Sequence, residues 1–151
     1  MKNPFQYGNE ELKTVAKNVR RSIIQMNSEA GAGHTGADLS ETDILVTLFF
    51  SIMQYDKHFS DPDPDRCILS KGHGAGGFYC MLAEAGVINK ELLSSYLDFD
   101  SPLPGHPVKH KLKPVEVNTG ALGHGLPVGV GLALAAKKTG RSYRVFVLVG
   151  D

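Results

Sequence analysis

The sequence predicts an α/β protein in which helices flank a parallel sheet. The run 143–151 is short and apolar, with the β-branched and aromatic bias of a buried parallel strand. A shorter candidate strand lies at 66–70, and segments with helical character stand before and between the two. Two or three strands are fewer than a parallel sheet usually contains, so we expect the sheet to be incomplete in this chain.

Length, charge and cysteine content exclude several protein classes. The 151 residues suffice for one domain or part of one, and Lys+Arg and Asp+Glu balance at 16 each. This balance gives no electrostatic reason to expect a nucleic acid or a membrane surface as partner. No 18-residue apolar run or secretory leader is visible, and two cysteines without metal or disulfide spacing suit a reducing cytoplasm. We therefore expect a cytoplasmic protein.

The chain stops at Asp151, directly after the predicted strand. Domains usually end in an exposed helix or tail rather than at an acidic residue on a strand tip. Residues 1–151 are therefore expected to form a single partial domain of a longer protein.

The first part of the chain predicts two helices joined by a glycine-rich loop. Residues 9–29 have apolar positions at helical spacing, with lysines and arginines on the opposite face. The loop 28–33 then leads to His34. Ser40, with Asp43 three residues later, has the pattern of a helix start, and the apolar run 44–50 predicts a wholly buried helix.

The middle of the chain alternates short elements with loops. The predicted elements are a turn at 61–65, a strand at 66–70, a loop at 71–77, and helices at about 78–85 and 90–98. Asn89 is expected to cap the last of these. The stretch 99–120 contains four prolines and predicts no regular structure, and a loop of this length in a compact domain is usually functional or disordered.

A glycine-rich stretch, 117–129, is the segment around which the remaining motifs are arranged. It leads into the apolar run 126–138, which predicts a buried helix starting near Leu126, because Pro127 is tolerated only in a first turn. A glycine loop before a helix N-terminus can bind an anion through unpaired N–H groups. A tight turn without a ligand explains the glycines equally well.

Histidines supply the second signal. Those next to glycine in predicted loops are His34, His73, His106 and His124. Loops at one end of a sheet converge, and imidazoles can move protons near neutral pH or bind phosphate and sugar hydroxyls. Each histidine alone is more often structural, and we interpret His58 and His110 as surface residues. No pair has metal-ligand spacing, so Asp151 is the better candidate ligand for a hard cation such as Mg²⁺.

Five short segments, taken together, resemble the transketolase family in its thiamine-diphosphate-binding N-terminal part. In family order they are Gly-His-Thr-Gly-Ala at 33–37, Ile-Leu-Ser-Lys-Gly-His-Gly at 68–74, Leu-Pro-Gly-His-Pro at 103–107, Val-Glu-Val-Asn-Thr-Gly-Ala-Leu-Gly-His-Gly at 115–125 and Val-Gly-Asp at 149–151. The resemblance covers nearly the whole chain, and the combination is far more specific than any one segment. It implies a thiamine-diphosphate-binding fold, a parallel sheet flanked by helices.

The resemblance also implies residue roles. The cofactor-binding residues would be His73, Gly120, Ala121, Leu122 and His124. His34 and His106 would bind the donor sugar's hydroxyls and assist proton transfers. Asp151 would bind the divalent cation, Mg²⁺ or else Ca²⁺ or Mn²⁺, that bridges the diphosphate.

Departures from the family pattern favour one branch of it. Thr35 stands where proline is usual, and His124 where long single-chain members tend to have glutamine; the latter resembles the two-subunit bacterial form. The implied function is transfer of a two-carbon ketol unit between sugar phosphates. It would require a C-terminal pyrimidine-binding half or subunit, in a dimer or heterotetramer, and this piece would be inactive alone. The alternatives are a related thiamine-diphosphate enzyme with another sugar, and a non-catalytic remnant or assembly module.

Overall fold

The computed structural model describes residues 2–61 and 63–150. Its α-helices are α1 (Asn9–Ala30), α2 (Thr35–Thr47), α3 (Ala75–Glu84) and α4 (Gly125–Thr139), and its strands are β1 (Arg66–Leu69) and β2 (Val145–Leu148). A π-helical turn at Leu48–Ile52 and 3₁₀ segments at Gly72–Gly74 and Lys90–Ser95 complete the regular structure.

Helix α1 forms as its sequence pattern predicts. The side chains at helical spacing, Val15, Ala16, Val19, Ile23 and Met26, are buried in the core. The carboxylate of Glu11 accepts a hydrogen bond from the N–H of Gly8 at 2.7 Å, which satisfies a donor at the helix start. Gly31 ends the helix in the left-handed conformation that glycine adopts without strain.

The predicted start of the second helix at Ser40 is wrong. Helix α2 begins at Thr35, because the carbonyl of His34 already accepts the N–H of Asp38 at 3.0 Å. The Ser40 hydroxyl instead donates to the carbonyl of Ala37 inside the helix. The run 44–50 is also not wholly buried, since Ile44 is 49% exposed and only one face of this segment meets the core.

The two strands pair in parallel, in the register Arg66↔Val145 through Leu69↔Leu148. Asp65 fixes the start of this pairing, because its buried carboxylate accepts from the backbone N–H of Arg144 at 2.7 Å and from its guanidinium at 2.6 Å. Strand β2 is half-buried rather than buried as predicted. It has one strand neighbour within the described part of the chain, so one edge lacks a partner there.

Helix α4 starts within one residue of its prediction and carries Pro127 in its first turn, but it is not a buried helix. Only Gly125, Gly129 and Ala136 are buried. The exposed apolar side chains are Leu126, Val128, Val130 and Leu134. The helix packs on β1 and β2, and within 2–61 and 63–150 nothing covers its outer face.

Helices α1, α2 and α3 form the core beside the sheet. Helix α3 starts at Ala75, three residues earlier than predicted, and is almost entirely buried. Asn89 caps its segment as predicted, accepting from the N–H of Glu91, but that segment is a short 3₁₀ helix rather than an α-helix over 90–98. The loop 99–120 has no regular structure, as predicted. No helix within the described ranges is long and apolar enough to span a membrane.

Candidate active site

Three of the four glycine-flanked histidines converge. His34 precedes α2, His73 lies in the 3₁₀ turn before α3, and His106 lies in the 99–120 loop. The ring centroid of His34 is 5.6 Å from that of His73 and 5.8 Å from that of His106. Both neighbouring rings meet His34 edge to face, so three histidines that lie far apart in the sequence present their imidazoles to one small region.

The other three histidines differ from this group. His124 is exposed at the start of α4, and no ring contact within the described residues joins it to the three. His58 and His110 are exposed, as predicted for surface residues. The expected convergence of four histidines is thus correct for three.

Glycines allow the loops to approach each other. Gly72, beside His73, lies so close to the 99–120 loop that a Cβ there would come within 2.6 Å of the Thr119 hydroxyl oxygen. Gly120 has φ +135°, and a Cβ on it would lie 2.9 Å from Cδ2 of His106. The backbone at these two positions therefore forms part of the wall that holds the histidines together.

A cavity of about 660 Å³ opens at the carboxyl ends of β1 and β2. Its wall includes Ser70 and Lys71 after β1, Val149 and Gly150 after β2, and the start of α4. Ligands of open parallel sheets bind at this edge. Of the predicted cofactor-binding residues, His73 and Leu122 line the cavity. Gly120 lies against His106. Ala121 and His124 are exposed and lie within two residues of Leu122 in the sequence.

The electrostatics of the cavity favour a neutral imidazole at His73. Burial lowers the pKa of His73, and the positive charge of Lys71 and the neighbouring His34 and His106 lower it further. A neutral imidazole can donate one hydrogen bond and accept another. His73 is therefore suited to binding rather than to carrying a fixed positive charge.

Two buried acids of α2 were missed by the sequence analysis. Asp38 is fully buried, and its carboxylate accepts from the N–H of Gly77 at 2.9 Å and from the Asn27 amide at 2.9 Å. This places a negative charge at the N-terminus of α3, where the helix dipole stabilises it. A helix that began at Ser40 would have left Asp38 in a loop, with no reason to expect these contacts.

Glu41 lines the cavity one turn further along α2 and is 2% exposed. Burial raises the pKa of its carboxyl group to about 8, against the lowering effect of Lys71. Nζ of Lys71 lies 3.2 Å from Oε2 of Glu41, an electrostatic contact without hydrogen-bond geometry. The sequence signal for both acids has two parts. Asp38 and Glu41 have the i, i+3 spacing of one helix face, and a glycine-rich helix start follows later in the chain, at 74–77.

The predicted metal ligand Asp151 lies outside the described residues. Within 2–61 and 63–150, no group of three or more His, Cys, Asp or Glu side chains is arranged to hold a metal ion.

Comparison with known proteins gives the family. Residues 12–145 match the model of the transketolase thiamine diphosphate binding domain. The chain is 55% identical over 151 residues to one subunit of the apulose-4-phosphate transketolase of Actinobacillus succinogenes, covering 99% of this chain and 55% of that protein. It is 39% identical to human transketolase, covering 98% of this chain and 24% of that protein.

Solved structures of transketolases resemble the fold of this chain. Transketolase from Campylobacter jejuni superposes with a TM-score of 0.86 at 30% identity, covering 96% of this chain and 24% of that one. The chain spans about half the length of the Actinobacillus relative and about a quarter of the long transketolases. It belongs to the transketolase family and represents its N-terminal, thiamine-diphosphate-binding domain.

Proposed function

We propose that this chain is the N-terminal part of a two-subunit transketolase, which transfers a two-carbon ketol unit between sugar phosphates with thiamine diphosphate and a divalent cation. The observation that carries this proposal is the convergence of His34, His73 and His106 beside the cavity at the carboxyl ends of both strands. Several imidazoles and a cavity at this edge suit a reaction that needs hydroxyl binding and repeated proton transfer.

The loop contact beside the cavity offers a polar group to a ligand. Gly72 and Gly120 allow this contact, because a Cβ at either position would clash with Thr119 or His106. The hydroxyl of Thr119 is buried there without a hydrogen-bond partner among the described residues, so it is available to a polar ligand group. The cavity volume of about 660 Å³ is also in the range of small-molecule sites.

The chain's own residues would bind the cofactor and the sugar and transfer protons. Thiamine diphosphate, when bound, supplies the electron sink that cleavage and formation of a C–C bond beside a carbonyl require. His73, kept neutral by its surroundings, would hold the cofactor near its diphosphate, with Leu122 along the cavity wall. His34 and His106 are exposed, and each could bind a sugar hydroxyl and give or take its proton.

The divalent cation belongs to the same proposal. Asp151 would provide one carboxylate ligand to Mg²⁺, or to Ca²⁺ or Mn²⁺, which prefer carboxylate and phosphate oxygens. One carboxylate does not hold such a cation, so the remaining ligands would come from the diphosphate and from residues outside this chain.

The partner and the substrate are inferred from the relatives. Because the 55% identical relative is named as one subunit of its enzyme, we infer a second subunit that carries the pyrimidine-binding half, in a dimer or heterotetramer. That relative's name favours apulose 4-phosphate over the common pentose phosphates as the sugar.

The piece 1–151 would be a partial domain that is inactive alone. We also infer a cytoplasmic location, which suits the free buried cysteines Cys67 and Cys80.

Calorimetric titration of the complete two-subunit protein with Mg²⁺–thiamine diphosphate tests this function. We expect saturable binding that His73→Ala weakens, while the matched variant His58→Ala, at an exposed histidine outside the site, binds as the unsubstituted protein does. Absence of binding to the assembled protein would contradict the proposal. Binding without any ketol transfer would favour the non-catalytic assembly module.

A further inference from the structure

The Lys71 side chain makes contacts that the proposed function does not use. This side chain is 9% exposed, although the residue lies two positions after the end of β1, at the edge of the cavity. Its ammonium group donates to the carbonyl of Ala37 at 2.9 Å and to the hydroxyl of Ser40 at 3.1 Å. The third contact is with Oε2 of Glu41 at 3.2 Å. All three partners lie on α2.

These contacts occupy the ammonium group. A lysine has three N–H donors, and here two make hydrogen bonds and the third direction is taken by the Glu41 carboxyl. In this structure the ammonium group is therefore held on α2. A phosphate-binding lysine points its N–H groups at the anion, whereas two of the Lys71 donors are bonded to α2, so we expect Lys71 to act on a ligand through the residues it holds.

The backbone of Lys71 connects the same residue to two further elements. Its carbonyl accepts the N–H of Gly74 at 2.9 Å, which closes the turn that carries His73. Its N–H donates to the carbonyl of Leu148 at the end of β2. One residue thus joins the His73 turn, the sheet edge and the first two turns of α2, the helix that begins directly after His34.

We propose that Lys71 is a positioning residue that holds the His73 turn against α2 and thereby sets the spacing of His73 and His34. The 5.6 Å separation of the two rings depends on how the turn before α3 sits on the start of α2, and Lys71 makes a direct side-chain contact between these segments. The proposal rests on the proposed function for its effect on catalysis, but the spacing itself can be measured without it.

Three substitutions in the complete two-subunit protein separate this role from alternatives. Lys71→Met keeps the unbranched stem and removes the ammonium group. Glu41→Met removes the carboxyl group that faces Lys71, whereas Glu41→Gln retains an oxygen at that position. The matched control is Lys13→Met, since Lys13 is exposed on α1 and forms its ion pair with Glu10 of its own helix. Burial already raises the pKa of Glu41 to about 8, so Lys71→Met leaves a neutral carboxyl group rather than an unpaired buried charge.

The first readout is the crystal structure of ligand-free Lys71→Met. We expect the His34 and His73 rings to move apart by roughly 1 Å, a displacement large enough to affect catalysis. The second readout is the Kd of Mg²⁺–thiamine diphosphate together with kcat/KM. Lys71→Met and Glu41→Met should weaken each by roughly 10- to 100-fold, the range seen when a partner that orients a ligand-binding side chain is removed. Glu41→Gln should recover most of the loss, and Lys13→Met should change neither value.

Several results would overturn the proposal. A lower Tm with unchanged ring spacing and unchanged Kd would make Lys71 a residue of general stability only. Equal damage by Glu41→Gln and Glu41→Met would indicate that the contact of a side-chain oxygen with Lys71 is not what Glu41 contributes. If Lys71→Met does not fold, Ser40→Ala removes one acceptor at an exposed position, and an unchanged Kd in that variant would refute the role. Failure of the unsubstituted assembly to bind cofactor would contradict the proposed function, while the ring spacing in ligand-free crystals would still decide the role of Lys71.

Discussion

Substitution of Glu41 by glutamine should remove the pH dependence of stability that arises from titration of the Glu41 side chain. Burial raises the pKa of Glu41 from its ordinary 4.5 to about 8, despite the nearby ammonium group of Lys71. Between these two pH values the folded protein holds a proton that the unfolded chain has lost. A group with a raised pKa contributes its stability fully below its ordinary pKa and loses it as the pH rises towards the folded value. The unfolding free energy should therefore fall from about pH 5 to about pH 8.

The size of this effect follows from the linkage between proton binding and folding. One proton of difference is worth about 1.4 kcal/mol per pH unit, so the change between about pH 5 and about pH 7 should be on the order of 3 kcal/mol. Glu41→Gln keeps the shape and cannot titrate, so its unfolding free energy should fall less over this range. Other titrating groups, including His73 with its lowered pKa, are present in both proteins and cancel in the difference.

Urea unfolding of both proteins at pH 5, 6, 7 and 8 measures this difference directly. The stability of Glu41→Gln relative to the unsubstituted protein should rise with each step in pH up to 8. Parallel profiles would refute the reasoning, because they would mean that Glu41 titrates in the folded protein as it does in water.

Three further predictions concern the site and the sheet. His106→Ala should lower kcat/KM by roughly 10²-fold, about 2.7 kcal/mol, with little effect on cofactor affinity, whereas His73→Ala should mainly raise the cofactor's Kd; steady-state kinetics with cofactor titrated separates the two. Gly120→Ala should destabilise the site by about 1–3 kcal/mol, because φ is +135° there and the new Cβ would meet His106, and cofactor calorimetry should show weaker binding. Arg144→Met should lower the unfolding free energy by about 2 kcal/mol, because Asp65 loses its charged hydrogen bonds; an unchanged urea midpoint would contradict this.

Features set by local sequence could be predicted. The apolar spacing in α1, the β-branched bias of the strands and the position of Pro127 each act over a few residues, and the elements they predict are present. The convergence of His34, His73 and His106 was predictable for a related reason, since loops at the carboxyl edge of a parallel sheet meet in space.

Features that depend on partners could not be predicted in the same way. The apolar composition of α4 predicted burial, but burial requires a neighbouring element, and none within the described ranges covers its outer face. The start of α2 was misplaced because the Ser40 pattern suited a cap, whereas the backbone had already entered the helix at Thr35. With that start misplaced, the contact of Asp38 with the start of α3 and that of Glu41 with Lys71 were also missed.

The most direct test of the central claim is ketol transfer by the complete assembly. A ketose phosphate, with apulose 4-phosphate as the first choice, is supplied with an aldehyde acceptor, and product formation is followed with and without thiamine diphosphate and Mg²⁺. The account predicts transfer that requires the cofactor, falls strongly in His106→Ala and is unchanged in His58→Ala. Transfer that proceeds without thiamine diphosphate, or no transfer by a folded assembly that binds the cofactor, would contradict it.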